Sequence, residues 1–182
     1  MPQRRLSILY VNLGDNVPYT YDKIVGRVTS WADQGHEITV LVPQISQSAI
    51  EKEIAEHATK NIQVLTLPGS NWSATSPLKI MVAYLFRLIV TPYALLNTRQ
   101  KYDVIVSNSA FLVDIFPPVF LKLINRCKHW ILIMDSVVPS PRSRQGNILV
   151  NSLTYLESVF VGKLANIYAS CIFTVNPELK KQ

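Results

Sequence analysis

Acidic side chains, cysteine and glycine are all scarce in this sequence, and each shortage excludes something. Aspartate and glutamate number 12 against 18 lysines and arginines, a formal net charge of +6 over 182 residues. Charged residues make up 16% of the chain, well below the roughly 25% of an ordinary globular protein. Hydrophobic residues reach 48%, so the chain has the means to bury a large core and is not disordered. No block of five or more basic residues occurs, nor do basic and aromatic residues interleave on a predicted strand, which argues against nucleic acid as a partner. The positive balance points to other anions, acidic lipid headgroups or phosphorylated substrates.

The two cysteines, Cys127 and Cys171, lie far apart and fit no CxxC or Cys/His metal spacing. No metal is expected, and a reducing cytosol suits them. Cys171 falls in an apolar strand pattern, where a free thiol acts as a small hydrophobe. The six glycines form no GxGxxG. Pro43 and Gln44 stand where a dinucleotide site needs an acidic residue, which argues against a nicotinamide-dependent dehydrogenase. Arg4-Arg5 followed by an apolar run has the look of a signal peptide. The run is short, Asp15 follows it and no small-residue cleavage site appears, so it reads as a first strand. Asn71-Trp72-Ser73 matches a glycosylation sequon without a secretory context to use it.

What is present is an alternation of short apolar runs with helical patterns. Leu6–Val11, Ile38–Val42, Ile62–Leu67, Val104–Val106, Trp130–Met134 and Cys171–Val175 are the strands. Tyr21, Ile24, Val25, Val28 and Trp31 recur at helical spacing, with Gly35 as the stop. Ser46–Thr59 reads as a polar helix. Pro77–Arg99 reads as a long apolar one with a kink near Pro92, and Phe111–Ile124 and Asn147–Tyr168 are two more. The predicted class is α/β: a doubly wound, mostly parallel six-stranded Rossmann-like sheet with helices on both faces, as a single domain over residues 1–182.

In such a sheet the crevice lies beyond the carboxyl ends of the strands. That singles out Asn12, Gly14 and Asp15 after the first strand, Asn108 and Ser109 after the fourth, and Asp135 after the fifth. Gly14 serves either a turn with positive φ or close approach of a ligand. Ser109 serves as a helix N-cap or a sugar contact. His36, His129 and His57 lie away from the crevice. In the long helix, Leu78, Met81, Leu85, Leu88 and Ile89 form an expected core stripe. Lys79, Arg87 and Tyr93, with Arg142 and Arg144 in a later loop, are candidate contacts with an anionic membrane surface. Arg87 and Pro92 argue against a membrane span. The alternative is a helix buried between sheet and neighbour.

Five stretches carry a resemblance. They are Leu6–Asn12; Ala32-Asp33-Gln34-Gly35-His36-Glu37-Ile38-Thr39-Val40-Leu41; Tyr102-Asp103-Val104-Ile105-Val106; Trp130–Asp135 with Pro139 following; and Leu156-Glu157 with Leu164-Ala165-Asn166 and Ile172–Asn176. In this order they resemble the N-terminal, acceptor-side domain of the family 4 retaining GT-B glycosyltransferases. The sequence departs from that pattern at Leu13-Gly14-Asp15, where paired glycines are usual, at Met134 and at Asn166.

The resemblance implies sugar transfer from a nucleotide donor to a glycan or lipid-linked acceptor hydroxyl, with retention of configuration and without metal or cofactor. It also implies that the donor is held by a second, C-terminal domain through two glutamates separated by seven residues. No glutamate pair here has that spacing, so that domain is expected to be absent and the chain inactive alone, needing a C-terminal domain or partner chain for its nucleotide-sugar. Asp135 is then the candidate catalytic group, hydrogen-bonding or deprotonating the acceptor hydroxyl, unless it caps its own loop as an Asx-turn. Asn12, Gly14, Asp15, Asn108, Ser109, Arg142 and Arg144 are the candidate substrate contacts. The expected location is the cytoplasm, peripheral at the inner face of a membrane. A non-enzymatic binding or regulatory module on the same fold is the competing reading.

Overall fold

A computed structural model of the chain describes residues 4–14, 21–57, 61–68, 77–134, 138–145 and 148–174. The chain alternates β1 (Ser7–Val11), α1 (Tyr21–Asp33), β2 (Glu37–Pro43), α2 (Gln47–Glu56), β3 (Ile62–Leu67), α3 (Pro77–Thr98), β4 (Tyr102–Ser107), α4 (Leu112–Leu123), β5 (Cys127–Met134), α5 (Ile148–Tyr168) and β6 (Cys171–Thr174). The six strands form one sheet in the order β3-β2-β1-β4-β5-β6. Every neighbouring pair is parallel, so the expected sheet is parallel throughout. After β3 the chain crosses from one edge back to the middle, and the strand order reverses between β1 and β4. That reversal is the switch point where such folds open a crevice.

Strand alternation divides the core into two layers. Ile8 and Tyr10 point to one side, where Ile24, Val25 and Val28 of α1 and Ile50 and Ile54 of α2 cover them. Leu9 and Val11 point to the other, against Leu95 of α3 and Val113 and Leu121 of α4. Trp130 and Leu132 of β5 extend that second layer, packed on Ile115 of α4 and on Val161 and Ala165 of α5. The helices α1 and α2 therefore cover one face and α3, α4 and α5 the other, with α4 between its two neighbours. The stop at Gly35 works as the sequence suggests: its φ of 88° is left-handed, and the N–H groups of Gly35 and His36 satisfy the carbonyls of Ala32 and Trp31. His36 is buried, and its Nδ1 accepts the Leu6 N–H.

The long helix α3 departs from expectation in which face it buries. Met81, Leu85 and Ile89, expected in the core, are exposed, Ile89 by 75%. The buried row is Ala83, Arg87, Thr91 and Leu95, four residues apart on one face. The helix is apolar nearly all round, so periodicity alone does not choose its inner face. Small and hydrogen-bonding side chains fill the side next to the sheet, and the bulkier apolar ones stay outside. Arg87, expected at a membrane surface, is 4% exposed and its Nη1 donates to the carbonyl of Leu13 at 2.5 Å.

This reversal makes opposite predictions for neighbouring leucine-like positions. Leu95→Ala should lower the unfolding free energy by about 2–5 kcal/mol, while Ile89→Ala should change it by under about 0.5 kcal/mol. Chemical denaturation of the two variants measures both, and equal losses would restore the expected stripe.

Candidate functional site

The carboxyl ends of β1 and β4 lie side by side, with Val11 opposite Ser107 in register. The Asn108 N–H continues the ladder to the Val11 carbonyl and the Asn12 N–H goes to the Leu41 carbonyl. Just past this point the polar residues separate by face. On the α1 side, Arg27 Nη1 donates to Asn108 Oδ1 at 2.5 Å and to the Tyr10 hydroxyl at 3.2 Å. Asn12, also here, has no exposure, yet among the described residues neither its Oδ1 nor its Nδ2 has a hydrogen-bond partner. A buried amide with unmet donors and acceptor is costly, on the order of 1–3 kcal/mol. Native chains keep such groups mainly where another component answers them.

On the other side the central group is Asp114, two residues into α4 and fully buried. Its Oδ1 accepts the N–H groups of Leu13 and, at 3.1 Å, of Gly14, and its Oδ2 accepts the Ser109 hydroxyl. Burial pushes the Arg87 guanidinium below its ordinary value, and the nearby Asp114 carboxylate opposes that shift. The free amides after β1, which in many Rossmann-like folds receive a phosphate, are thus occupied by the chain's own carboxylate. Gly14 is needed for this closeness and not for a positive φ: a Cβ there would meet Asp114 Oδ2 and Phe111 Cδ2, each at 2.8 Å. Ser107 completes the frame, its hydroxyl donating to the Asp114 carbonyl at 2.8 Å and accepting the Trp130 indole N–H at 3.0 Å.

A second carboxylate ties α5 into the same corner. Glu157 accepts the Leu112 N–H at 2.7 Å, at the first turn of α4, and the hydroxyl of Tyr84 from α3. It supplies an acceptor that the N-terminal residue Phe111 cannot, since no side chain of α4 itself caps the helix. Ser109, expected as an N-cap, stands two residues before the N-cap Phe111; its oxygen accepts the Phe111 N–H at 3.2 Å while it donates to Asp114.

Of the sequence candidates, Asn12, Gly14, Asn108 and Ser109 converge at the switch point. Asp15 and Asp135 lie outside the described residues. Arg142 and Arg144 are exposed on the turn between β5 and α5, and among the described residues neither makes a side-chain hydrogen bond to this cluster. Lys79 and Tyr93 are exposed on α3. Sequence reading missed Arg27, Arg87 as a core residue, Asp114 and Glu157. A charged residue at the start of an otherwise apolar helix, Asp114, was the available signal. Burial raises the Cys127 thiol to about 11, which keeps it protonated at neutral pH. Among the described residues no three His, Cys, Asp or Glu side chains gather as metal ligands. A cavity of about 320 Å³ lined by Arg5, Glu37, Asn61 and Gln100, among others, opens at the amino ends of β1–β3, the opposite end of the sheet.

No protein-family model matches this sequence, and no curated protein does. Solved structures share its fold. A protein described as a UDP-N-acetylglucosamine 2-epimerase from Listeria monocytogenes aligns with a TM-score of 0.54 and 9% identity, over 98% of this chain and 40% of the other. UGT89C1 from Arabidopsis thaliana, solved with UDP, aligns with a TM-score of 0.52 and 16% identity, over 96% of this chain and 52% of the other. The same protein with UDP-L-rhamnose gives 0.53, also at 16% identity, over 96% and 53%. The chain spans about half or less of these structures. The likeness is one of fold, a parallel, Rossmann-type α/β domain.

Asp114→Ala should lower the unfolding free energy by about 1–3 kcal/mol, because the Leu13 and Gly14 N–H groups and the Ser109 hydroxyl lose their acceptor. Asp114→Asn, which keeps one acceptor oxygen, should lose less. Urea midpoints at constant m-value read both, and a loss below about 1 kcal/mol for Asp114→Ala would remove the carboxylate from its central place.

The Glu157 carboxyl is held above its usual 4.5 by burial, against the pull of the Leu112 N–H. Its contribution to stability is therefore full below the unfolded value and is lost as pH rises through the raised folded value. Glu157→Gln keeps an acceptor oxygen and cannot ionise, so it should gain on the wild type between weakly acid and neutral pH. Denaturation midpoints at the two pH values test this, and a wild type that gains on the variant contradicts it.

Proposed function

We propose that this domain forms the acceptor-side wall of the cleft in a retaining glycosyltransferase that moves a sugar from a nucleotide donor to an acceptor hydroxyl. The observation that carries the reading is Asn12. It is a buried side chain at the switch point of a glycosyltransferase-like fold, with an acceptor and two donors unused. Asn108 beside it holds one more amide and is oriented by Arg27. Such a pair suits a hydroxyl-rich ligand, which both gives and accepts hydrogen bonds.

The occupied loop after β1 supports the assignment of sides. With Asp114 on the Leu13 and Gly14 amides, the described part of that loop has its amides occupied, which supports placing the donor's phosphates on a second domain or partner chain facing this one. UGT89C1, whose fold this chain shares over about half its length, has been solved with UDP and with UDP-L-rhamnose, ligands of the class proposed for the assembled cleft. Asp135, following β5 in the sequence, is the proposed group that orients or deprotonates the acceptor hydroxyl, and Asp15, Ser109, Arg142 and Arg144 are the further proposed acceptor contacts. Catalysis needs both walls, since positioning and charge stabilisation of the transition state come from opposite sides of the cleft. The acceptor is a glycan or lipid-linked sugar. The working place is the cytoplasmic face of a membrane, touched through Lys79 and Tyr93 of α3.

Titration followed by NMR tests the reading. Glycan or lipid-linked acceptors should shift the side-chain amide signals of Asn12 and Asn108, and Asn12→Ala should abolish the response. UDP- and GDP-sugars should bind the isolated chain no more tightly than roughly millimolar. Micromolar donor binding to this chain alone, or acceptors that leave both amides unmoved, would overturn it.

A further inference from the structure

The outer surfaces of α3 and α5 have the opposite polarity to ordinary surface helices. On α3, Met81, Leu85, Ile89, Tyr93 and Leu96 all face outward, while its buried charge, Arg87, faces the sheet. On α5, Leu149, Leu153, Leu156, Phe160 and Ile167 recur at intervals of three, four and seven residues, which places them on one exposed face. The two helices flank α4 on one side of the sheet and are joined by the Tyr84–Glu157 hydrogen bond. Exposed apolar surface on this scale marks an interaction face.

Charge identifies the occupant. The helices of this layer carry two acids, of which Asp114 is buried and Glu157 is half-buried and hydrogen-bonded. Exposed bases surround the apolar rows: Lys79, Arg99 and Lys101 around α3, and Arg142, Arg144 and Lys163 around α5. The opposite layer, α1 and α2, carries Asp22, Asp33, Glu51 and Glu56 on its exterior, with Lys23 and Lys52 among them. The molecule thus has one basic, apolar side and one side of mixed charge with an acidic excess, which suits an anionic lipid surface and orients the chain on it. Met81–Thr98 and Ile148–Tyr168 are also long and apolar enough to cross a membrane by length and composition. Both, however, bury an inner face in the protein, Ala83, Thr91 and Leu95 on α3 and Val161 and Ala165 on α5, and a helix packed along a sheet cannot be surrounded by lipid.

We propose that the layer formed by α3, α4 and α5 is a membrane-docking surface, with the outer rows of α3 and α5 inserted among the lipids and the flanking bases on anionic headgroups. The proposal extends the membrane location in the functional reading above and gives α5, not α3 alone, half of the contact.

Co-sedimentation of the full chain with vesicles tests it. The wild type should bind phosphatidylglycerol-containing vesicles, weakly bind phosphatidylcholine alone, and retain part of its binding in high salt through the inserted side chains. Leu153→Glu with Phe160→Glu should reduce binding at least about tenfold, with an unchanged melting curve to show that the fold persists. Arg142→Glu with Arg144→Glu should remove mainly the salt-sensitive part. A Leu153→Trp variant should be quenched by lipids brominated in their acyl chains. Wild-type indifference to anionic vesicles, an α5 double variant that binds like wild type, or an unquenched Trp overturns the proposal. So does a lipid-free dimer that the α5 substitutions dissociate, because the face is then a contact between copies. The Asn12 and Asn108 amide response to a soluble glycan acceptor is read on the Leu153→Glu, Phe160→Glu variant, neither residue of which is placed in the acceptor site, so loss of docking is separated from loss of that site.

Discussion

Asp114 is a carboxylate without solvent exposure, and burying its charge obliges the surrounding chain to answer it. The answer comes from three segments that are distant in sequence: the amides after β1, the hydroxyl after β4 and, in its vicinity, the guanidinium of α3. Without the carboxylate the Leu13 N–H would lose its acceptor in a low-dielectric corner. Leu13 and Gly14 lie beyond the last ladder bond of β1, and Arg87 faces the sheet from a helix with no acid of its own. A single short side chain at the start of α4 thereby fixes how β1, α3 and α4 meet. Gly14 follows as a consequence, since α4 approaches the loop too closely for a Cβ.

The fold was readable because each strand is a near-continuous apolar run and each helix begins or ends on a residue with a definite backbone role. Gly35, Pro43 and the run from Trp130 to Met134 placed the boundaries to within a few residues, and the alternation implied a doubly wound sheet. What escaped was direction within apolar helices. In α3 the residues with the highest hydropathy are outside and a charged one is inside, which inverts the rule that amphipathic reading rests on. Nothing in the spacing of Met81, Leu85 and Ile89 distinguishes a core stripe from an outward one. That distinction lies in what the opposite side of the helix has to reach, namely the Leu13 carbonyl and Asp114, contacts 74 residues away and 27 residues on in the chain.

The candidate site was legible in part for the same reason. Position after a parallel strand is a property of the sequence pattern, so Asn12, Gly14, Asn108 and Ser109 could be named in advance. Their division of labour could not. Gly14 and Ser109 belong with Asp114, where the polar groups satisfy one another, whereas Asn12 and Asn108 belong with Arg27 on the other side of β1. Among the described residues, Asn12 of the second set keeps both its amide oxygen and its amide nitrogen unused. Two neighbouring positions in one loop thus have different meanings, and the alternation of side chains across the sheet separates them.

The outward polarity of α3 is the other half of the arrangement at Asp114. A helix wedged against the loop after β1 must present a long, hydrogen-bonding residue there, and Arg87 fills that position with Thr91 and Ala83 on the turns beside it. With its inner row given to small and polar side chains, the helix carries its bulky apolar residues on the remaining surface. A soluble surface would disfavour that distribution, and substituting Lys or Glu at Leu85 or Ile89 would relieve it without disturbing any buried contact. The same distribution recurs on α5, whose exposed apolar row is joined to α3 through the Tyr84–Glu157 hydrogen bond. The buried lock and the apolar face are therefore two sides of one arrangement: charge turned inward to close a loop, hydrocarbon left on the outer surface.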